Sequence, residues 1–87
     1  MRAEVEAQQR YPRRAQRLGQ QGTAVISVRL TRAGALAEAP VLIRSSGHAL
    51  LDAEALRMVE AAAPFPGLPA GYTADTVALE LPVRFSL

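Results

Sequence analysis

The sequence predicts an α+β fold: a three-stranded antiparallel sheet of order 2-1-3, with a long helix and a short N-terminal helix packed on one face. Three observations lead there. Apolar residues alternate at a period of two over residues 23–31 and again over 76–87, which marks half-buried strands. Between them, residues from about 49 to 63 repeat their apolar positions at the helical period. Pro40 and Pro82 each fall in a β-prone run, and a residue without an N–H donor belongs at a sheet edge.

Residues 1–10 are polar and read as a tail or frayed helix, with no apolar stripe beyond Val5; the domain proper is expected over 11–87. Pro12 suits the first position of a short helix that ends at Gly19 and turns Ala15 and Leu18 inward. In the first strand Ala24, Ile26, Val28 and Leu30 share one side and Thr23, Ser27, Arg29 and Thr31 the other, with Val25 the exception. A turn around Arg32 to Gly34 leads to a second β-prone run over 35–44. Its parity slips between Leu36 and the pair Val41 and Ile43, which a bulge near Glu38 would explain.

Ser45, Ser46 and Gly47 break that run. On the helix that follows, Leu51, Ala55, Leu56, Met58, Val59, Ala62 and Ala63 occupy a sector of roughly 160°, with Glu54, Arg57 and Glu60 outside it. Pro64, Pro66, Gly67, Pro69 and Gly71 then forbid regular structure until Asp75. The last run sets Val77, Leu79, Leu81, Val83, Phe85 and Leu87 against Thr76, Ala78, Glu80, Pro82, Arg84 and Ser86.

Strand one, free of Pro and Gly within its run, must be the middle strand; a hairpin joins it to strand two and the helix carries the chain to strand three. The C-terminal strand is therefore a long edge with little to hide it. Proteins protect such edges because unpaired N–H and C=O groups recruit other chains. Either the N-terminal tail or a second copy covers this edge, or recruiting another chain is its function. If the missing donor of Pro82 faces outward, Ala78, Glu80 and Arg84 aim their backbone groups there too.

Composition narrows the function classes. Eighty-seven residues make one domain, and without cysteine no disulfide braces it. Of the apolar residues 17 are Ala, so one modest core is expected rather than a pocket-bearing interior. The sequence contains neither a signal-peptide pattern nor an apolar run of membrane-spanning length. All ten basic residues are Arg; seven lie before Gly34 against two acids there, so an acidic partner is drawn to the N-terminal third.

Tyr11-Pro12 followed by Ala15, Gly19 and Gly22 opening a strand, Gly34 in the hairpin turn, Ser45-Ser46-Gly47, Leu51-Asp52, Ala55-Leu56, Pro64-Phe65 with Pro69, and the closing Leu81-Pro82-Val83-Arg84-Phe85 together resemble the TonB C-terminal domain family. Each element is weak alone, but the ordered set over residues 8–87 is specific. The resemblance implies a periplasmic domain of an inner-membrane energy transducer that works with a proton-driven motor complex. Such a domain grips the TonB box of TonB-dependent outer-membrane receptors and passes force to the receptor plug, for active uptake of, for example, siderophores, haem or vitamin B12. Family members also carry an N-terminal membrane helix and a Pro-rich linker; neither is in this sequence, which resembles the periplasmic domain alone.

The resemblance also implies where the partner sits. The family holds the box as an added strand beside the last strand, the edge that carries Ala78, Glu80, Pro82 and Arg84. Gln8, three before Tyr11, matches a Gln that contacts the box, and Arg14, two after Pro12, falls where a basic residue approaches the plug. Arg10 and Arg13 add positive charge, and Tyr11 and Pro12 complete the set, although Tyr11 also reads as a packing residue at a helix start. No cofactor and no nucleic-acid partner are implied. A self-associating module that pairs the same edge with its own copy, as a homodimer, is the alternative.

Other motifs carry less. Ser46, His48 and Asp52 have the residue types of a hydrolase triad but lie within one strand-to-helix turn, where they cannot line up as nucleophile, base and orienting acid. Asp52 instead suits the first helical turn, near exposed N–H groups. Gly19-Gln20-Gln21-Gly22 resembles the clamping loop of KH RNA-binding domains, but a strand follows it, and two Tyr and two Phe give little to stack bases on. The single His and scattered carboxylates lack metal-ligand spacing. Phe65 reads as a plug under the sheet.

Overall fold

β1 (Gly22–Thr31) is the middle strand. The computed structural model describes residues 2–67 and 73–87; Pro69 and Gly71 of the expected loop lie outside the described residues. In chain order the elements are α1 (Arg2–Glu6), α2 (Arg13–Arg17), β1, β2 (Val41–Arg44), α3 (Ala49–Ala62) and β3 (Thr76–Phe85). The sheet order is β2-β1-β3 and both pairings are antiparallel, as the proline argument requires.

Residues directly opposite one another in an antiparallel pair share a face. Ala24, Ile26, Val28 and Leu30 pair with Val83, Leu81, Leu79 and Val77, and Gly22 with Phe85, so one face of the sheet is apolar throughout. α3 lies on that face and buries Leu51, Ala55, Met58 and Val59 against it. Each large core side chain removed from water contributes about 1.5–3 kcal/mol. The other face stays open to solvent and carries the alternate residues of β1 and β3.

Several local expectations need correction. The polar N-terminal residues do not trail away: Val5 is 3% exposed, and through it α1 packs on α3. Pro12 caps α2 from outside rather than occupying its first turn, and Leu18 is exposed because it falls at the C-cap, where the chain leaves the helix. Gly19, with φ of 66°, closes α2: its N–H reaches the Gln16 carbonyl while Gln20 N–H reaches that of Ala15, the paired bonds of a Schellman end. Leu87 is exposed because the ladder stops at the Gly22–Phe85 pair.

β2 is shorter than the run over 35–44. Leu36 bridges Leu30, residues 38–40 leave the ladder next to donor-less Pro40, and pairing resumes at Val41. Parity does not slip as expected, because Leu36 and Leu42 both pack on the core while Val41 and Ile43 face solvent. The bulge sits at Ile43, which is skipped between the Val25–Arg44 and Ile26–Leu42 pairs.

Two close approaches hold the layers together. A Cβ at Gly22 would stand 2.4 Å from the Ser46 carbonyl oxygen, so β1 can start beneath the strand-to-helix turn because it starts with glycine. Gly34, with φ of 91°, accepts the Phe65 N–H at 2.8 Å, and a Cβ there would fall 1.8 Å from the Phe65 carbonyl oxygen. Phe65 itself is buried, the plug the sequence suggests.

Gly34→Ala should therefore destabilise the chain by about 2–4 kcal/mol through backbone strain and clash, lowering Tm by about 10 °C or more. Thermal and urea unfolding measure this, and a loss below about 0.5 kcal/mol would mean that the hairpin turn and the Phe65 loop separate freely.

Candidate functional site

The long free edge is β3, and its chemistry follows from parity. Within a strand, the N–H and C=O of one residue point to the same flank and those of its neighbours to the other. Arg29 and Thr31 of β1 bond toward the hairpin side: Ala37 N–H donates to the Arg29 carbonyl at 2.8 Å and Thr31 N–H to that of Ala35 at 2.8 Å. The alternate residues of β1, Gly22 to Leu30, therefore bond to β3 through Phe85, Val83, Leu81, Leu79 and Val77. What remains on the outer flank of β3 is the backbone of Thr76, Ala78, Glu80, Pro82 and Arg84.

An independent contact agrees: Gln9 Nε2 donates to the Arg84 carbonyl at 3.0 Å from outside the sheet. The outward flank thus offers N–H and C=O at Ala78 and Glu80, C=O alone at Pro82, and an Arg84 carbonyl already capped. Among the described residues no backbone hydrogen bond reaches Ala78, Glu80 or Pro82 from that side. The same residues place exposed side chains on the open face, where Val25, Ile43, Arg44 and Glu80 line a shallow depression of about 320 Å³.

The N-terminal segment is pinned beside this edge by a buried carboxylate. Glu54, expected outside the apolar sector of the helix, is 8% exposed. It accepts the Arg10 backbone N–H at 2.8 Å and Arg57 Nε at 2.7 Å, and Arg57 Nη2 in turn donates to the Gln8 carbonyl at 2.5 Å. A buried carboxylate is tolerated where it is paired and hydrogen-bonded in this way. Burial pushes the Glu54 carboxyl up, but the hydrogen bonds from Arg57 and the Arg10 N–H, with the charges of both arginines, outweigh it, and its pKa lies below the ordinary value.

The remaining sequence candidates divide between packing and exposure. Tyr11 stacks edge-on against Phe85 with ring centroids 5.7 Å apart, and its hydroxyl donates to the Gln20 carbonyl, so here it is a packing residue. Arg13 and Arg14 stand exposed on α2, with Arg17 beside them, and none has an acidic partner among the described residues; Arg10 is exposed next to them. Gln8 is half-buried, held through its backbone. The structure therefore brings Gln8 and Arg10 to one end of the β3 edge, with Arg13, Arg14 and Arg17 forming a separate basic ridge.

Ser46, His48 and Asp52 form no catalytic relay. Ser46 Oγ lies 2.7 Å from Asp52 Oδ1 and 3.1 Å from the His48 backbone carbonyl, so the imidazole does not stand between them. Asp52 also accepts the Ser46 N–H at 2.7 Å and Ser45 Oγ–H at 2.5 Å, which fixes the turn that abuts Gly22. Burial raises its pKa, and the bonds from Ser45 and Ser46, with nearby His48, more than offset that and lower it. Gly19 to Gly22 joins a helix to a strand rather than two helices. Among the described residues no cluster of His, Cys, Asp or Glu could hold a metal ion, and no helix is long and apolar enough to cross a membrane.

Sequence reasoning passed over two residues at the edge. Thr76 shares the parity of Ala78 and could have been found from it. Gln9 gave no signal, because its role depends on a contact with Arg84 that is distant in the chain.

Because the Glu54 pKa is lower in the folded chain than in the unfolded one, its stabilisation is complete above the ordinary Glu value of about 4.3 and is lost as pH falls through the folded value. Hydrogen exchange corrected for intrinsic rates should show the Arg10 amide losing protection as pH falls below about 4.3. Glu54→Gln should remove that pH dependence; an acid response that survives in the variant would assign it to another carboxylate.

The family model described as Gram-negative bacterial TonB protein C-terminal matches residues 7–87. The chain is 37% identical over 87 residues to Protein TonB of Pasteurella multocida (strain Pm70), covering 100% of this chain and 32% of that protein. It thus spans about a third of the length of that relative. Two NMR solution structures of Helicobacter pylori TonB-CTD are similar: one at a TM-score of 0.81 and 26% identity, covering 98% of this chain and 75% of that one, the other at 0.77 and 27%, covering 98% and 87%. The structure of HasB CTD is similar at a TM-score of 0.61 and 38% identity, covering 98% of this chain and 65% of that one. With a match over residues 7–87, which takes in every element from α2 to β3, and the same fold, the chain belongs to the TonB C-terminal domain family.

Proposed function

We propose that this chain is the receptor-binding domain of a TonB-like energy transducer, and that it binds the TonB box of an outer-membrane receptor as a fourth strand along β3. The observation that carries the reading is the outward flank of β3, where Ala78 and Glu80 each present a donor and acceptor pair that no backbone group among the described residues occupies, beside a sheet already three strands wide. Strand addition at such an edge draws its strength from main-chain hydrogen bonds and is tolerant of side chains. Each net bond contributes about 0.5–1.5 kcal/mol before ordering costs, so a micromolar, reversible grip is expected.

In this reading Gln8 and Arg10 flank the end of the guest strand, and Arg13 and Arg14 steer an acidic segment of the receptor toward it. Tyr11 and Pro12 act through the geometry they impose on that segment, since the Tyr11 ring is committed to Phe85. Residues 11–87 are the domain and 1–10 its N-terminal tail, which meets α3 through α1 and the Arg10 N–H. The domain works in the periplasm; the longer protein is anchored in the inner membrane and coupled there to the proton-driven motor, and the force it delivers drives uptake through the receptor.

Titration of isotope-labelled chain with a panel of TonB-box peptides tests the site. The largest amide shifts are expected at Ala78, Glu80 and Arg84; shifts confined to β2 or α3 would sink the reading. Growth of particle size with concentration in the absence of peptide would favour pairing of the same edge between two copies. Arg14→Glu should weaken receptor binding several-fold at low ionic strength and much less at high salt. Equal affinity at low salt would leave Arg14 a solubilising residue.

A further inference from the structure

We infer that Gln9 is a displaceable cap on the guest-binding ladder, which sets how far along β3 a bound strand runs; the inference rests on strand addition at this edge. Among the described residues, the one outward-flank carbonyl of β3 already occupied is that of Arg84, by Gln9 Nε2 at 3.0 Å. A guest pairing from Thr76 to Pro82 leaves that bond intact. A guest whose ladder extends to Arg84 must put its own N–H where the Gln9 amide stands.

The surroundings make Gln9 suited to leaving. Its neighbours are anchored on both sides, Gln8 through its carbonyl to Arg57 and Arg10 through its N–H to Glu54. Gln9 N–H is itself bonded to the Glu6 carbonyl at 3.1 Å. The backbone thus stays in place when the side chain swings away, and the bond given up is neutral, single and exposed. Next to it Glu6, Gln9, Arg84 and Ser86 line a cleft of about 410 Å³. A strand that passes Arg84 brings its next residue to this cleft, whose described lining residues are all polar or charged and which therefore favours a polar or charged guest side chain over an apolar one.

Two guest lengths are thereby distinguished: a short strand that leaves the cap closed, and a long one that opens it and enters the cleft. Loss of a neutral exposed bond corresponds to about a two- to tenfold change in binding. Gln9→Ala removes the competitor, and Gln9→Glu, which lacks the donor, should behave alike.

The test uses the tightest TonB-box peptide of the panel in a nine-residue form and in five-residue forms trimmed from either end, titrated into labelled native chain and both variants. The nine-residue peptide is expected to bind Gln9→Ala and Gln9→Glu about two- to tenfold more tightly than the native chain, while the short forms whose shifts stop before Arg84 bind all three equally. The side-chain amide resonances of Gln9 should move toward free values with the long peptide and stay put with the short ones. Weaker binding of the long peptide to the variants, a gain independent of length, or a Gln9 amide that does not move while Arg84 does, would each overturn the cap. If no peptide shifts Ala78 or Glu80 in any of the three chains, strand addition itself fails and the cap with it.

Discussion

β1 is paired on both flanks, along all ten residues with β3 and over a shorter stretch with β2, and that double commitment sets almost everything else in the molecule. A strand has a period of two, so once Arg29 and Thr31 turn their backbone groups to the hairpin side, the parity of β3 is no longer free. Val77 to Phe85 at alternate positions must bond inward and turn to the core face, and the positions between them must aim their backbone groups at the open flank and their side chains at the other face. The edge is therefore defined by the centre. Pro82 falls on an outward position, where its missing donor does not interrupt the β1 ladder, and it removes one N–H from the exposed flank.

The second constraint is the carboxylate of Glu54. It sits on the side of α3 where the N-terminal arm returns, and its bonds to Arg10 and Arg57 turn a polar segment into a docked one. Val5 then completes the attachment with a small apolar contact. The arm thereby reaches the end of the β3 edge through one side chain without pairing with it as a strand. An arm that added its own backbone along β3 would have closed the edge; one held on the helix layer leaves it accessible.

Much of this was legible in the chain because it depends on local pattern. Alternation over 23–31 and 76–85, the helical period before Ala63, and two prolines were enough for the order of the sheet and for the identity of its open edge. The parity of Ala78, Glu80 and Arg84 rested on the condition that Pro82 faces outward, and the hairpin-side bonds of Arg29 and Thr31 meet it. What escaped depends on contacts between distant residues. Glu54 looks like a solvated helix position until Arg10 and Arg57 are seen beside it, and Gln9 looks like tail until Arg84 is. At Leu18, Ile43 and Leu87 the residue type suggested burial, but each stands where an element ends or bulges, and the period no longer dictates a side there.

The uninterrupted β1–β3 pairing has a mechanical consequence. Tension applied lengthwise along β3 loads its cross-strand bonds together, in shear, so that none opens without the rest; tension applied sideways, peeling from Phe85 or from Thr76, opens them singly. The domain is thus anisotropic to traction, stiff along its strands and soft across them. The direction of a pull on β3 decides whether its ladder to β1 holds or opens.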